Sequence, residues 1–226
     1  FAKNLYAFNL NLPENKKNNV QGQLDELKQF IGQGWPVKEV VIDGWASPEG
    51  EEAFNDGLSE NRAKTAKKYL TDEIKKMSKS NPKISYKDPE KELDMKLTAH
   101  GPDWNGFLVK VDNSDLKDKK SIMNVIKSSG QDKREEEIRN MILIYPEMEK
   151  EILPPLRRSE IMIKCAEPKK SDDEIAKLST TNPESLDVKE LLYSATLTKN
   201  LKTQLNIYKS ATKIYPNDWR GYNNAA

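Results

Sequence analysis

The stretch at residues 40–63 constrains the fold more than any other part of the chain. It opens with a β-branched run at residues 40–42, which is typical of a buried strand, and Gly44 follows at the carboxyl end of that strand. A polar loop containing Pro48 and Gly50 then leads into apolar residues that recur every three or four positions, as along one face of a helix. A strand that runs through a short loop into a long helix predicts a helix packed on a sheet.

Strand and helix patterns alternate over the whole stretch at residues 1–165. Two-residue alternation and β-branched runs predict strands, and spacings of three and four predict helices. The predicted strands cover residues 5–12, 38–43, 93–100 and 158–165, and the predicted helices cover residues 20–31, 58–77, 116–128 and 134–151. Ser59 is the predicted N-cap of the second helix, and Pro146 is expected to kink or interrupt the fourth. The pattern predicts an α+β domain whose helices cover one face of a sheet.

After Cys165 both the composition and the predicted architecture change. A linker rich in Pro and Lys occupies residues 166–171, and helical spacing without any strand pattern follows it. We therefore predict a domain at residues 1–166 and an all-α segment at residues 167–226. The connection at residues 101–155 of the first domain is long and is expected to be helical. Both chain ends fall inside a pattern, so we expect this sequence to be a piece of a longer protein.

Composition argues against several functional classes. The net charge is +1, charges of both signs are interspersed, and the pI is about 7.8, which argues against nucleic-acid binding. A single cysteine, Cys165, and a single histidine, His100, exclude an internal disulfide and a zinc site built from these residue types. A Ser-His-Asp triad would have to use His100, and no Gly-x-Ser-x-Gly motif occurs. A carboxylate pair for glycoside cleavage stays open, although nothing selects one pair. We expect no enzymatic activity, no metal and no cofactor.

The strand–loop–helix stretch carries a spaced motif. Two glycines, an aromatic–asparagine pair, a Leu-Ser pair and an Arg-Ala pair follow one another as Gly44, Gly50, Phe54-Asn55, Leu58-Ser59 and Arg62-Ala63. This spacing resembles the signature of OmpA-like peptidoglycan-binding domains. The sequences Phe-Asn-Leu-Asn at residues 8–11 and Leu-Arg-Arg-Ser-Glu-Ile at residues 156–161 resemble two further segments of that family. The resemblance covers residues 4–165 and implies a βαβαβ sandwich with a mixed sheet and helices on one face.

Arg62 is the central candidate for ligand binding. We predict it in the first turn of a helix, where a guanidinium and unpaired backbone N–H groups together suit a carboxylate. The resemblance implies that Arg62 binds the carboxylate of diaminopimelate in the peptidoglycan stem peptide, that Asn55 supports this site, and that Asn11 belongs to it. From the residues alone, the alternative is an exposed arginine paired with Glu49 or Glu60.

Ser47 stands where the family has an aspartate that takes the ammonium group of the ligand. A neutral hydroxyl there would weaken binding by about 1.5–3 kcal/mol. Glu49, two residues further on, is the candidate that would supply the charge instead. Leu156 replaces a family asparagine and is a second departure. The alternative is therefore a degenerate OmpA-like domain with a structural or assembly role that does not bind peptidoglycan.

The resemblance also implies a cellular setting. It implies a non-catalytic link between the cell wall and the outer membrane or an envelope assembly, in the periplasm, with membrane contact only through segments absent from this chain. Residues 185–226 resemble a tetratricopeptide (TPR) repeat and the start of the next, with Leu191, Tyr208, Ala211 and Pro216 at repeat positions. An unrelated helical hairpin is the alternative. The TPR-like segment predicts a protein partner.

Overall fold

The computed structural model describes residues 1–117, 119–130, 133–141 and 144–226. The chain forms two compact units, Phe1–Glu167 and Pro168–Ala226. Strands and helices occur together in the first unit and helices in the second, so the α+β prediction is confirmed. Within the described part of the chain, no helix combines the length and the apolar character that a membrane span requires.

The first unit is built on a three-stranded mixed sheet. Strand β1 (Val37–Ala46) is central, with β2 (Met95–Pro102) parallel on one side and β3 (Ser159–Cys165) antiparallel on the other. From Val40 to Ala46 every second residue of β1 is buried, because one face of the sheet packs on helices. Three of the predicted strands therefore form.

Helices lie before and after the central strand. Helices α1 (Pro13–Lys17) and α2 (Val20–Gly32) precede β1, and α3 (Glu52–Ser80) and α4 (Pro89–Glu92) lie between β1 and β2. The approach of α3 to the sheet is close: a Cβ atom at Gly44 of β1 would lie 2.0 Å from the carbonyl oxygen of Ser59. This contact explains why the strand carries a glycine at this position.

Helix α3 begins earlier than predicted, and Ser59 is not its N-cap. The helix starts at Glu52, so Ser59 lies about two turns inside it. Its hydroxyl donates to the carbonyl of Asp56 (2.8 Å) and accepts from the amide of Gly101 in β2 (3.0 Å). Weak helix propensity near the start of α3 is found at Asn55, Asp56 and Gly57. The buried side chain of Asn55, which is hydrogen-bonded to the preceding loop, holds this first turn in place.

The predicted strand at residues 5–12 is wrong. These residues form irregular backbone and turns before α1. The carbonyl of Leu5 accepts two hydrogen bonds from Arg62 of α3, so it is not part of a ladder. The ring of Phe8 packs edge-on against Tyr69 of α3, with centroids 5.3 Å apart. The apolar alternation thus belongs to an extended segment that packs on a helix.

The connection between β2 and β3 is helical and has its own core. It contains α5 (Trp104–Asp112), α6 (Lys119–Ser128), α7 (Arg134–Asn140), α8 (Tyr145–Glu147), a π-helical turn (Met148–Ile152) and a 3-10 turn (Pro154–Leu156). The most buried members of this core are Phe107, Ile122, Ile126, Ile138, Met148 and Leu153. These apolar residues pack together without reaching the sheet's own core cluster.

The single helix predicted at residues 134–151 is also wrong. Helix α7 ends at Asn140, and Pro146 lies in the first turn of α8, where its missing N–H has no helical partner to lose. Of the two effects predicted for Pro146, a kink or an interruption, the interruption occurs. Ile142, a member of the predicted apolar stripe, lies outside the described residues.

The second unit contains four α-helices. They are α9 (Asp172–Thr181), α10 (Val188–Ser194), α11 (Leu201–Ile214) and α12 (Trp219–Ala225). Reciprocal capping boxes start α9 and α10, through Ser171 with Glu174 and Asp187 with Glu190. The buried apolar residues that form the core of this unit are Ile175, Leu186, Leu191, Ala195, Ile207 and Ala211. Leu191 and Ala211, two of the repeat-pattern residues, therefore lie in its core.

Candidate functional site

Four of the five predicted site residues lie together at the end of β1. Ser47 and Glu49 lie in the loop that follows β1, and Asn55 and Arg62 lie on α3. All four are buried, with exposed fractions of 4%, 5%, 2% and 0%. Asn11 does not join them: it is exposed, and its amide donates to the side chain of Asn9 in the turn before α1.

A second arginine, Arg157, completes this group. It lies just before β3 and is 8% exposed. Its guanidinium donates to Glu49 Oε1 from Nη2 (2.7 Å) and Nε (3.2 Å), and Nε also reaches Ser47 Oγ (3.1 Å). Arg157 belongs to the Leu-Arg-Arg-Ser-Glu-Ile segment at residues 156–161, for which the resemblance predicted no role of this arginine. We call Ser47, Glu49, Asn55, Arg62 and Arg157 the buried cluster.

The side chain of Asn55 holds the loop of the buried cluster through the backbone carbonyls of that loop. The side-chain amide of Asn55 donates to the carbonyls of Glu49 and Gly50, each at 3.2 Å. Gly50 has a φ of 97°, a left-handed conformation that favours glycine. Asn55 therefore holds the loop that carries Glu49.

Arg62 is fully buried, and its guanidinium contacts carbonyl oxygens. Nε and Nη2 both donate to the carbonyl of Leu5 (3.1 and 3.0 Å), Nη2 also donates to Ala2 (3.1 Å), and Nη1 donates to Trp45 (2.9 Å). Among the described residues no carboxylate forms an ion pair with it. Burial lowers the pKa of Arg62 to about 10, with a further contribution from Arg157 and an opposing one from Glu49.

The predicted position of Arg62 in the first turn of a helix is wrong. Because α3 begins at Glu52, Arg62 lies almost three turns inside it, where backbone amides already have helical partners. Any ligand carboxylate would therefore meet the guanidinium alone, without the free amides that we expected.

The charges of the buried cluster do not balance. Two guanidinium groups, on Arg62 and Arg157, face one carboxylate, on Glu49. Glu49 also has one oxygen, Oε2, that is buried without any hydrogen-bond partner. Buried ionised groups are normally paired and fully hydrogen-bonded. The cluster can therefore accept one more anion beside Arg62 and one more donor at Glu49.

A cavity of about 720 Å³ adjoins the cluster between α2, α3 and β3. Its lining includes Phe8, Leu27, Tyr69, Ile161 and Arg157. The walls combine apolar side chains with polar and charged ones, which include Glu14, Asn15, Glu26, Arg157 and Arg158. A concave site with both kinds of wall can hold a small organic ligand.

The open face of the sheet carries a second group of charges. Trp45 stacks on His100, with ring centroids 3.9 Å apart, and Arg158 lies 4.9 Å from the Trp45 ring centre. His100 Nε2 lies 2.8 Å from Asp43 Oδ1. Among the described residues, no group of three or more His, Cys, Asp or Glu side chains is arranged to hold a metal ion.

Comparisons with protein-family models, with curated proteins and with solved structures gave no match to this chain.

Proposed function

We propose that the first unit binds the stem peptide of peptidoglycan without catalysis, through the amino-acid headgroup of a diaminopimelate-type residue. The observation that carries this proposal is the unbalanced buried cluster, in which Glu49 Oε2 lacks a donor and Arg62 lacks a carboxylate. An amino-acid headgroup supplies both missing partners, because it has one carboxylate and one ammonium group. The resemblance to OmpA-like domains supports the same ligand class.

Arg62 is assigned to the carboxylate of the headgroup. Its Nε and Nη2 atoms both point at one oxygen, that of Leu5, and this edge of a guanidinium is the one that binds a carboxylate through two parallel bonds. A carboxylate there would replace neutral carbonyls with a charged acceptor. Charge-assisted hydrogen bonds of this kind are roughly twice as strong as neutral ones.

Glu49 is assigned to the ammonium group of the headgroup. Ser47, at the family position of the aspartate, already accepts a hydrogen bond from Arg157 and carries no charge. Glu49 has the charge, and its Oε2 is open to a donor. Arg157 orients this carboxylate through Oε1 and leaves Oε2 for the ligand. The neighbouring cavity would hold the apolar part of the stem peptide.

Co-sedimentation of the purified chain with diaminopimelate-containing sacculi tests this function. We expect wild type and Lys96→Ala to pellet, because Lys96 lies on the open face of the sheet, whereas Arg62→Lys and Glu49→Gln should bind about 10- to 100-fold more weakly. Circular dichroism checks that each variant is folded. Equal pelleting of wild type and Arg62→Lys would show that the site is wrong. A chain that stays in the supernatant at every sacculus concentration would contradict the function.

The second candidate is a structural domain that does not bind peptidoglycan. The observation that favours it is the full occupation of Arg62 by the carbonyls of Ala2, Leu5 and Trp45. In that case Arg62 ties the N-terminal segment to α3 and serves stability alone. The same assay separates the two candidates, because a structural domain leaves sacculi unbound whichever residue occupies position 62.

We propose a protein partner for the second unit, in keeping with its TPR-like pattern. Several large apolar side chains of its last helices are exposed, with Leu201 at 79%, Trp219 at 71% and Tyr222 at 50%. Exposed apolar side chains in such number favour a contact with another helical element. The proposed setting is the periplasmic side of an outer membrane.

A further inference from the structure

The segment Phe1–Phe8 covers the buried arginine, and we call it the strap. It contains neither helix nor strand. It bends back on itself through a hydrogen bond from the Leu5 amide to the Ala2 carbonyl (3.2 Å), with Asn4 in a left-handed conformation (φ 57°). The bend aims both carbonyls at Arg62. The ring of Phe1 lies 5.3 Å from the Arg62 guanidinium carbon.

The strap occupies the edge of Arg62 that a carboxylate would use. The Leu5 oxygen receives both Nε and Nη2 of the guanidinium, and the Ala2 oxygen adds a second contact at Nη2. Of the four hydrogen bonds that Arg62 donates, the strap accepts three. The strap thus imitates the shape of a bound carboxylate but supplies no negative charge.

Apart from Arg62, few groups hold the strap. The amino group of Phe1 donates to the carbonyl of Arg157 (2.9 Å), whereas Leu5 and Tyr6 are each 53% exposed. Lys3 forms an ion pair with Glu149, and both side chains are more than 40% exposed. Exposed ion pairs contribute little to stability. The edge-on contact of Phe8 with Tyr69 is the main apolar anchor. A segment held in this way can leave Arg62 while the sheet and α3 stay intact.

We propose that the strap is an internal competitor of the ligand: it closes the Arg62 site, and a ligand carboxylate binds by displacing the carbonyls of Ala2 and Leu5. This inference rests on the proposed function, because it takes the same ligand at the same guanidinium. The strap satisfies Arg62 when the site is empty, and a charged acceptor outcompetes it when ligand is present. The observed affinity is then the intrinsic affinity multiplied by the fraction of molecules in which the strap is open.

The test compares full-length and shortened chains in the sacculus assay. Removal of residues 1–6 should raise the affinity about 10- to 100-fold if the strap is closed in 90–99% of molecules. Lys3→Glu in the full chain, which places two acids opposite each other, should raise it about two- to fivefold. Lys17→Glu on α1 is the matched control, because it makes the same charge change outside the strap, and it should leave the affinity at the wild-type level.

The outcomes separate the strap from the function on which it rests. If all these chains bind with one affinity and lose it with Arg62→Lys, the strap proposal is overturned and the function stands. If none of them binds, both proposals fail together. Should the shortened chain be unfolded by circular dichroism, hydrogen exchange of wild type with added meso-diaminopimelate decides. Faster exchange at residues 2–8 supports displacement, and unchanged exchange in the bound protein overturns it.

Discussion

Two bases share one acid on each side of the sheet, but the two groups differ in their exposure to water. On the open face, Glu39 of β1 lies between Lys96 of β2 and Lys164 of β3, so an acid is flanked by bases and all three reach water. In the buried cluster, Arg62 and Arg157 share one acid, Glu49. An excess of one charge lowers the stability of the fold little where water screens it, and much where water is excluded. An excess of positive charge in the buried cluster lowers the stability of the fold. Such a cost in stability is typical of a functional site.

Loss of Arg157 should give the largest effect on stability. Arg157→Leu leaves Glu49 buried without the one cation that is hydrogen-bonded to it among the described residues, and breaking one side of a buried pair costs about 3–5 kcal/mol. Urea unfolding followed by circular dichroism measures this free energy. The double variant Arg157→Leu/Glu49→Leu should recover most of the loss, because no charge stays behind. If Arg157→Leu were as stable as wild type, Glu49 would not be buried and paired with Arg157 as described.

Loss of Arg62 should cost less than loss of Arg157. Arg62→Met removes four hydrogen bonds to carbonyls but strands no opposite charge, and the carbonyls of Ala2 and Leu5 can turn to water as the strap loosens. We expect a loss of about 1–3 kcal/mol in urea unfolding. If Arg62→Met destabilised the chain more than Arg157→Leu, the two arginines would have the reverse roles, with Arg62 as the structural one.

The open face should give the smallest effect, and it should depend on pH. Hydrogen bonds from Lys164 and then Lys96 lower the pKa of Glu39 to about 2. Since the folded pKa is below the ordinary 4.5, the contribution to stability is present above that value and is lost as the pH falls through about 2. Glu39→Gln should remove this part of the acid dependence of urea unfolding and change little at pH 7. An identical acid profile in the variant would contradict the pairing.

Much of the architecture could be predicted from the chain because it depends on local patterns. The β-branched run at residues 40–42 forms the central strand. Gly44, which follows it, leaves room for α3 to approach the sheet. The segment at residues 5–12 was predicted wrongly because apolar alternation is the same for a strand and for an extended segment. The carbonyl of Leu5 contacts Arg62, which lies over fifty residues further along the chain, and no local pattern shows such a contact.

The candidate site could be predicted in part. The motif brought Ser47, Glu49, Asn55 and Arg62 to one place, but it carried no information on burial. Arg157 had a usable signal: in β3, residues 159, 161 and 163 are more buried than their neighbours, and Arg157 shares their parity. Extending the two-residue period backwards would have placed Arg157 towards the helices and Arg158 towards the open face. The charge imbalance needed coordinates, because it depends on which acids accompany the two arginines.

The central claim is that Arg62 exchanges the strap for a carboxylate. Its Nε–H group can be followed directly by nitrogen–proton NMR of the full chain during titration with meso-diaminopimelate. We predict that the Arg62 Nε–H signal and the Leu5 amide signal shift together and saturate at the same ligand concentration, because one carboxylate replaces one carbonyl. The claim would be contradicted if the Arg62 Nε–H signal did not shift while signals elsewhere in the protein saturated with ligand. It would also be contradicted if no signal saturated.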